Sequence, residues 1–501
     1  MHSSLIKPYQ KKTLPSLQLG EIIYKDEVLS DAPAYLVLKS FNRHGLIAGA
    51  TGGGKTKTMQ VLCEQLSLAG IPSLVMDCKG DISGLAMPGE MNDAIKARND
   101  KMNLCSAPRG FPVELLTLTN KLVGLQVRAD IENFGALLFC RMLELNEVQS
   151  GVVTILFEVA KTKQIPLVDL NDCKALLRFF QTEEGKKEIS ANYGNVASTS
   201  IGSIIRRIIE LEAQGGGEFF GKPSLQVTDL LRTNEKGEGF ISILRVMDMQ
   251  DKPLLFSTFM LKLLFDLYNQ LPELGDPPKP KLVLFLDEAH LIFKGASKAL
   301  LGQLETVTKL IRSKGVGLIF CTQSPSDIPN SVLGQLGMKI QHALRAFTAK
   351  DRQAMKLVAQ NFPPSTDYDT EQQLTSLRIG EAMVTALDEQ GEPTPLIQCL
   401  IRAPQSRMNV LTDTEINTIL TQSTLFSKYA QREKRLSAAD ILKVQPKDAP
   451  ASRDGQLSKG KKSASIDKVT LFERLSKNTL IRQITRESLR WILKILSRTR
   501  K

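Results

Sequence analysis

Gly49-Ala50-Thr51-Gly52-Gly53-Gly54-Lys55-Thr56 follows the spacing G-x-x-x-x-G-K-[ST]. Glycines at these positions let consecutive backbone N–H groups turn inward, where they hold phosphate oxygens at the positive end of a helix. Lys55 is expected to reach the β and γ phosphates of a nucleotide, and the Thr56 hydroxyl to join a magnesium shell. A second cluster closes the run Leu282-Val283-Leu284-Phe285-Leu286-Asp287-Glu288. Two carboxylates ending an apolar strand are costly unless they face a metal and a reacting water. Asp287 is expected to hold Mg²⁺ through water, and Glu288 to orient or deprotonate the attacking water. A strand end leading into a helix N-terminus would favour the same two acids without any chemistry. Beside the glycine loop, however, Glu288 points to hydrolysis rather than phosphoryl transfer to a bound substrate. ATP and Mg²⁺ are the expected cofactors.

Further polar groups end apolar runs of the same kind. Val316-Gly317-Leu318-Ile319-Phe320-Cys321-Thr322-Gln323-Ser324 reads as a strand with a polar end. If it neighbours the Asp287 strand, Gln323 can touch the γ-phosphate or the water; otherwise it is a polar cap. Asp77-Cys78-Lys79-Gly80-Asp81 ends another strand, as support for the site or as a substrate contact. His290 has no partner motif and reads as structural or as a coupling residue.

These residues need a sheet to position them. Leu46-Ile47-Ala48 leads into the glycine turn, and Lys57–Leu68 has helical periodicity ending at Gly70. Ile71–Asp77 is the next strand, giving the start of a parallel α/β sheet. Tyr35–Lys39 reads as a short strand before it. Helical runs at Ile131–Leu145, Val152–Lys163, Asp169–Phe180 and Ile201–Ala213 suggest an all-helical insertion. The α/β pattern resumes at Phe240–Leu244, with helices over Leu254–Leu271 and Lys298–Ser313, and late strands at Ala382–Leu387 and Leu396–Ile401. The fold class is therefore α/β, organised as a lead-in (1–40), a first core part (41–128), a helical insertion (129–235), a second core part (236–405) and a helical, basic C-terminal region (406–501).

Composition narrows the classes. With 501 residues, 42% of them hydrophobic, the chain can bury a sizeable core. No apolar run approaches the roughly 20 residues of a membrane span. Met1–Leu19 is polar and proline-interrupted, against secretion. Seven scattered cysteines without a Cys-x-x-Cys pair exclude a disulfide scaffold or a cysteine zinc cluster and fit a reducing cytoplasm. Residues 428–501 hold 20 Lys/Arg against 7 Asp/Glu, whereas the other 427 residues hold 45 against 46. The basic character thus belongs to the tail. Arg482, Arg486, Arg490, Lys494 and Arg498 recur every four residues, one stripe of an amphipathic helix that could dock on the body, contact nucleic acid or lie on an anionic membrane.

The glycine loop, Leu286-Asp287-Glu288-Ala289-His290 and the Gly315–Gln323 strand resemble the HerA/FtsK class of P-loop ATPases. Phe219-Phe220-Gly221-Lys222-Pro223, the Gln341–Thr348 string and Gln405-Ser406-Arg407-Met408 resemble its bacterial YjgR-type branch of HerA-like helicase-domain proteins. The resemblance covers about residues 15–410. It implies a RecA-like P-loop core, a homo-oligomeric ring, usually a hexamer, and ATP-driven movement of a polymer, often duplex DNA. Ring ATPases of this kind supply an arginine from the neighbouring subunit, and Arg312 lies where the family's equivalent lies, with Lys314 and Arg345 in reserve. Arg312 could equally compensate a helix dipole. The chain departs from HerA proper in having too few residues before the glycine loop for an N-terminal barrel, and in its helical insertion.

An ABC-type ATPase is disfavoured, since no Leu-Ser-Gly-Gly-Gln precedes Asp287. A small-molecule kinase is disfavoured by Glu288. Two readings remain: a motor that translocates or remodels DNA, and an ATP-driven protein-remodelling or secretion/assembly machine without nucleic acid. A slow regulatory switch is a third, weaker one.

Overall fold

Apolar runs buried on both faces dictate the centre of the structure. The computed structural model describes residues 3–443, except 12, 296, 346, 347 and 366; residues 444–501 of the basic tail, with the Arg482–Arg498 stripe, lie outside the described residues. The strands are β1 (Ser16–Tyr24), β2 (Glu27–Val37), β3 (Gly45–Ala48), β4 (Ser73–Asp77), β5 (Val113–Thr117), β6 (Leu125–Gln126), β7 (Ile241–Arg245), β8 (Leu282–Leu286), β9 (Val316–Thr322), β10 (Met338–Gln341), β11 (Glu381–Thr385) and β12 (Ile397–Ile401). They form one 12-stranded sheet in the order β2-β1-β12-β11-β10-β3-β9-β8-β4-β7-β5-β6. From β10 to β6 every pairing is parallel. Every residue of β3, β4, β8 and β9 is buried, which is why these strands carry unbroken apolar runs instead of an alternating pattern. Parallel order also gathers their carboxyl ends along a single edge, where polar groups can emerge without entering the core.

The remaining strands are antiparallel and flank this centre. β1 pairs with β2 and with β12, and β11 joins β12 to β10. The lead-in thus completes the sheet edge with two strands, where the sequence suggested one short strand at Tyr35–Lys39. Lys39 instead lies in the 3-10 turn Leu38–Arg43. Two register shifts in the β1–β2 ladder spoil the alternation that would mark β1. β5 and β10 carried no clear signal either. The former contains the buried Glu114, held by Arg232 at 2.7 Å and Ser423 at 2.5 Å, and the latter has only four residues.

Between β6 and β7 run the helices Ile131–Met142, Glu147–Thr162, Leu170–Phe179, Glu183–Tyr193 and Ser198–Ala213. Asp130, Asn146, Asp169 and Thr182 cap the first four through their side chains. Phe219 and Phe220 pack edge to face, with ring centres 5.2 Å apart, against Phe259 and Phe134 respectively. Helix Lys298–Leu310 ends earlier than its periodicity suggested, turning through the 3-10 segment Ile311–Lys314 into Gly315 at φ 72°. All described residues belong to one compact unit. Among them no helix is long and apolar enough to cross a membrane.

The helix Lys55–Leu68, which leaves the glycine loop, is anchored by a buried polar knot. The Glu64 carboxylate accepts from the backbone N–H groups of Gln405 and Ser406, both at 2.9 Å, and from Ser406 Oγ at 2.5 Å. Gln60 Nε2 donates to Ser406 Oγ and Arg407 O at 2.7 and 2.9 Å, and Lys57 Nζ donates to Met408 O at 2.7 Å. Burial pushes the Glu64 carboxyl up, against the hydrogen bonds that favour its ionised form. Replacing Glu64 by Ala would leave two buried N–H groups unpaired. The expected loss is about 2–4 kcal/mol of stability, read as a lower unfolding midpoint, with Glu64→Gln losing less because its amide oxygen still accepts.

Candidate functional site

The glycine loop bridges β3 and the helix Lys55–Leu68 at the carboxyl edge of the sheet. Gly49 and Gly52 have φ of 146° and 77°, a range that L side chains rarely adopt. A Cβ at Gly49 would also lie 2.6 Å from His342 Cβ, whereas one at Gly52 would meet nothing within 4 Å. The loop is therefore tight against the protein at its start and open at its middle, which leaves room for a phosphate. Ala50 N–H donates to Ala343 O at 2.9 Å and Gly53 N–H to Ala50 O at 3.1 Å. Lys55 Nζ crosses the loop to Gly49 O at 2.7 Å and Ala50 O at 3.2 Å. Burial, and then the like charge of Lys79, lower the Lys55 pKa.

His342 fixes the loop from behind. Its Nδ1–H donates to Glu381 O at 2.8 Å, and its Nε2 accepts from Thr58 Oγ at 2.9 Å. Burial lowers its pKa to about 4, so the ring is neutral near pH 7 and keeps one donor and one acceptor. The sequence contained His342 within one of the specific strings but gave no sign of this role.

β9 lies between β3 and β8 in the sheet. Gln323, exposed just beyond β9, therefore stands between the glycine loop and the Asp287-Glu288 pair. β4 flanks β8 on the other side and brings the Asp77–Asp81 turn to the same edge. Thr56 Oγ donates to Asp81 Oδ2 at 3.3 Å, linking that turn directly to the glycine loop. Burial raises Asp77 to about 6 and Asp287 to about 7; Lys79 acts against the rise at Asp287 and Glu288 adds to it. Asp287 Oδ2 and Asp81 Oδ1 are buried without a hydrogen-bond partner. Unpartnered carboxylate oxygens and a threonine hydroxyl are hard donors that suit magnesium. Among the described residues no group of three or more His, Cys, Asp or Glu is arranged to hold a metal alone.

Glu288 Oε1 is ion-paired with Lys79 Nζ and Oε2 lies 3.0 Å from His290 Nδ1, although, like Asp287 Oδ2, neither oxygen accepts a directed hydrogen bond. His290, read from sequence as structural or coupling, thus lies at the site itself. Arg312 does not. It is exposed and precedes β9, at the amino edge of the sheet, away from its own chain's glycine loop. Lys314 is committed to Leu271 O at 3.0 Å and Glu273 at 2.9 Å. Arg345 is exposed beyond β10, on the same edge as the loop.

The raised Asp287 pKa carries a stability consequence whose sign is fixed. Above pH 7 the folded carboxylate is charged in a site that disfavours charge, so folding is penalised there; the penalty fades as pH falls through about 7 toward 4, where the group is protonated in both states. Asp287→Asn should therefore stabilise the nucleotide-free protein at pH 8 by roughly 1–3 kcal/mol. The gain should vanish near pH 4, as thermal unfolding at the two pH values will show.

The family model described as Helicase HerA-like C-terminal matches residues 23–496. The DNA double-strand break repair helicase HerA of Saccharolobus solfataricus is 22% identical over 375 residues, covering 74% of this chain and 65% of that protein. The chain therefore spans slightly less than two thirds of that curated relative. The bacterial conjugative coupling protein TrwBdeltaN70, in an unbound form, superposes with a TM-score of 0.50 at 15% identity, over 82% of this chain and 94% of that one. Plasmid coupling protein TrwB in complex with a non-hydrolysable ATP analogue gives the same score and identity, over 80% and 99%. The fold is that of a RecA-like P-loop NTPase core, and with the family model spanning nearly all of its length, the chain belongs to the HerA-like C-terminal helicase family.

Proposed function

We propose that the chain is a Mg²⁺-dependent ATPase of the cytoplasm that works as a ring and moves or remodels DNA. The observation that carries the reading is the strand order β3-β9-β8, which sets Lys55, Gln323 and Asp287-Glu288 along one sheet edge. Lys55 and the loop N–H groups bind and orient the phosphates. Thr56 and Asp287 are the residues that would hold magnesium, with Asp81 beside Thr56. When bound, the ion neutralises phosphate oxygens as charge develops on them. Glu288 takes the proton of the attacking water, and Gln323 contacts the γ-phosphate or that water. A recess of about 270 Å³ adjoins the loop, lined by Gly54, Ile379, Ile401 and Met408 together with Arg98 and Arg402, and its size suits the nucleobase.

Arg312 fits the role of a finger in trans, since it faces solvent on the edge opposite its own loop. The ring follows from that role: a neighbour must complete each site. DNA as the polymer is supported by the family and by the relative described as a double-strand break repair helicase.

Lys55→Ala should lose tight ATP binding, whereas Glu288→Gln should keep binding and lose turnover by about 10²–10⁴-fold. Near-normal turnover in Glu288→Gln rejects the assignment of the water-activating group. Chelation of divalent cations should stop hydrolysis. Mixing the Lys55→Ala and Arg312→Ala proteins, each inactive alone, should restore some turnover, because some interfaces pair an intact loop with an intact arginine. Full activity of Arg312→Ala alone excludes the finger. Hydrolysis rates with no addition, single-stranded DNA and duplex DNA decide the polymer: no stimulation by either favours a protein-remodelling machine.

A further inference from the structure

The Glu288 carboxylate is buried, with 6% of its side chain exposed; Lys79 Nζ is ion-paired with its Oε1, and His290 Nδ1 lies 3.0 Å from its Oε2. An ammonium seated against one carboxylate oxygen occupies the place from which that oxygen would take a water proton. The backbone bears a second mark of constraint. Glu288 has φ 47°, in the left-handed region that a non-glycine residue rarely occupies, and is held there by the turn bond from Leu291 N–H to Glu288 O at 2.7 Å. Strain of this kind persists only where surrounding contacts enforce it. The Lys79 side chain, by contrast, is 38% exposed and comes from the turn after β4, the strand beside β8. Its ammonium thus touches the buried carboxylate from a position open to solvent.

We propose that Lys79 is a restraining residue that holds Glu288 away from water activation until a phosphodiester backbone draws its ammonium off. The proposal rests on the ATPase reading above and adds its regulation. With Lys79 withdrawn, the Glu288 carboxylate regains a free oxygen, and hydrolysis becomes coupled to DNA engagement. The residue is not catalytic, since it acts on the reaction only through Glu288.

The test compares kcat and KM for ATP, with and without linear duplex DNA, in the full chain and in Lys79→Met, Lys79→Arg and Lys79→Met/Glu288→Gln. Lys79→Met should raise the DNA-free kcat about tenfold, leave KM within about twofold, and lose most of the DNA stimulation. Lys79→Arg, which preserves the ion pair, should keep the low DNA-free rate and the response to DNA. The double variant should be inactive, which places the effect at Glu288. A DNA-free kcat in Lys79→Met that is unchanged or lower, with nucleotide affinity intact, overturns the restraint while leaving the ATPase reading standing. DNA stimulation that persists undiminished in Lys79→Met overturns release by DNA. Absence of turnover in the unaltered chain, with and without DNA, overturns the ATPase reading and the restraint together.

Discussion

Charge gathered where an apolar sheet meets solvent is the interaction on which the rest of this structure depends. β3, β4, β8 and β9 are buried along their whole length, and their carboxyl ends carry or lead into Lys55, Asp77, Lys79, Asp81, Asp287 and Glu288. None of these charges would be tolerated a turn deeper. At the edge, the lysines offset the acids only in part: Asp77 and Asp287 are both pushed up by burial, while burial and the like charge of Lys79 lower Lys55. A site left with partly uncompensated carboxylates beside a glycine loop is destabilising on its own and suited to a ligand that brings both positive and negative charge. A magnesium nucleotide has that combination.

Such a site works only if its parts do not give way, and the surrounding polar contacts are built accordingly. His342 stays neutral because it is buried, and its two nitrogens then tie the first turn of the loop helix to β11. Glu64 stays in place because three donors from Gln405 and Ser406 meet it inside the protein. His44 acts similarly at the other edge, accepting from Leu318 N–H at 3.0 Å and donating to Thr308 O at 2.7 Å, with burial lowering its pKa to about 4. In each case a buried group spans two elements distant in sequence, so that loop, helix and late strands move as one body.

This explains what could be read from the sequence. β8 was legible at both ends because burial on two faces leaves a pure apolar run, and a carboxylate pair after such a run is conspicuous. The loop was legible because phosphate binding requires glycines at fixed spacing. β1 was not, because bulges at Gly20 and Ile23 break its period, and β5 was hidden by the buried Glu114. From sequence, His290 reads as structural or as a coupling residue, and Lys79 stands near the site without a partner. The Lys79 contact with Glu288 depends on which strand lies beside β8, and periodicity carries no information about sheet order. The specific strings become intelligible in the same way: Gln405–Met408 docks the loop helix, Gln341-His342 backs the loop, and Phe219-Phe220 packs the aromatic cluster.

The position of Arg312 follows from the same topology. Because β3, β9 and β8 are parallel, whatever precedes β9 must lie at the edge opposite the loop, separated from it by a strand of seven residues. No rotamer change spans that distance, roughly 20 Å at strand rise. Within one chain, then, the arginine and the phosphates are kept apart by the very arrangement that brings Lys55 and Glu288 together. Any contribution of Arg312 to chemistry has to be intermolecular, and an arginine confined to that edge has no site of its own to complete.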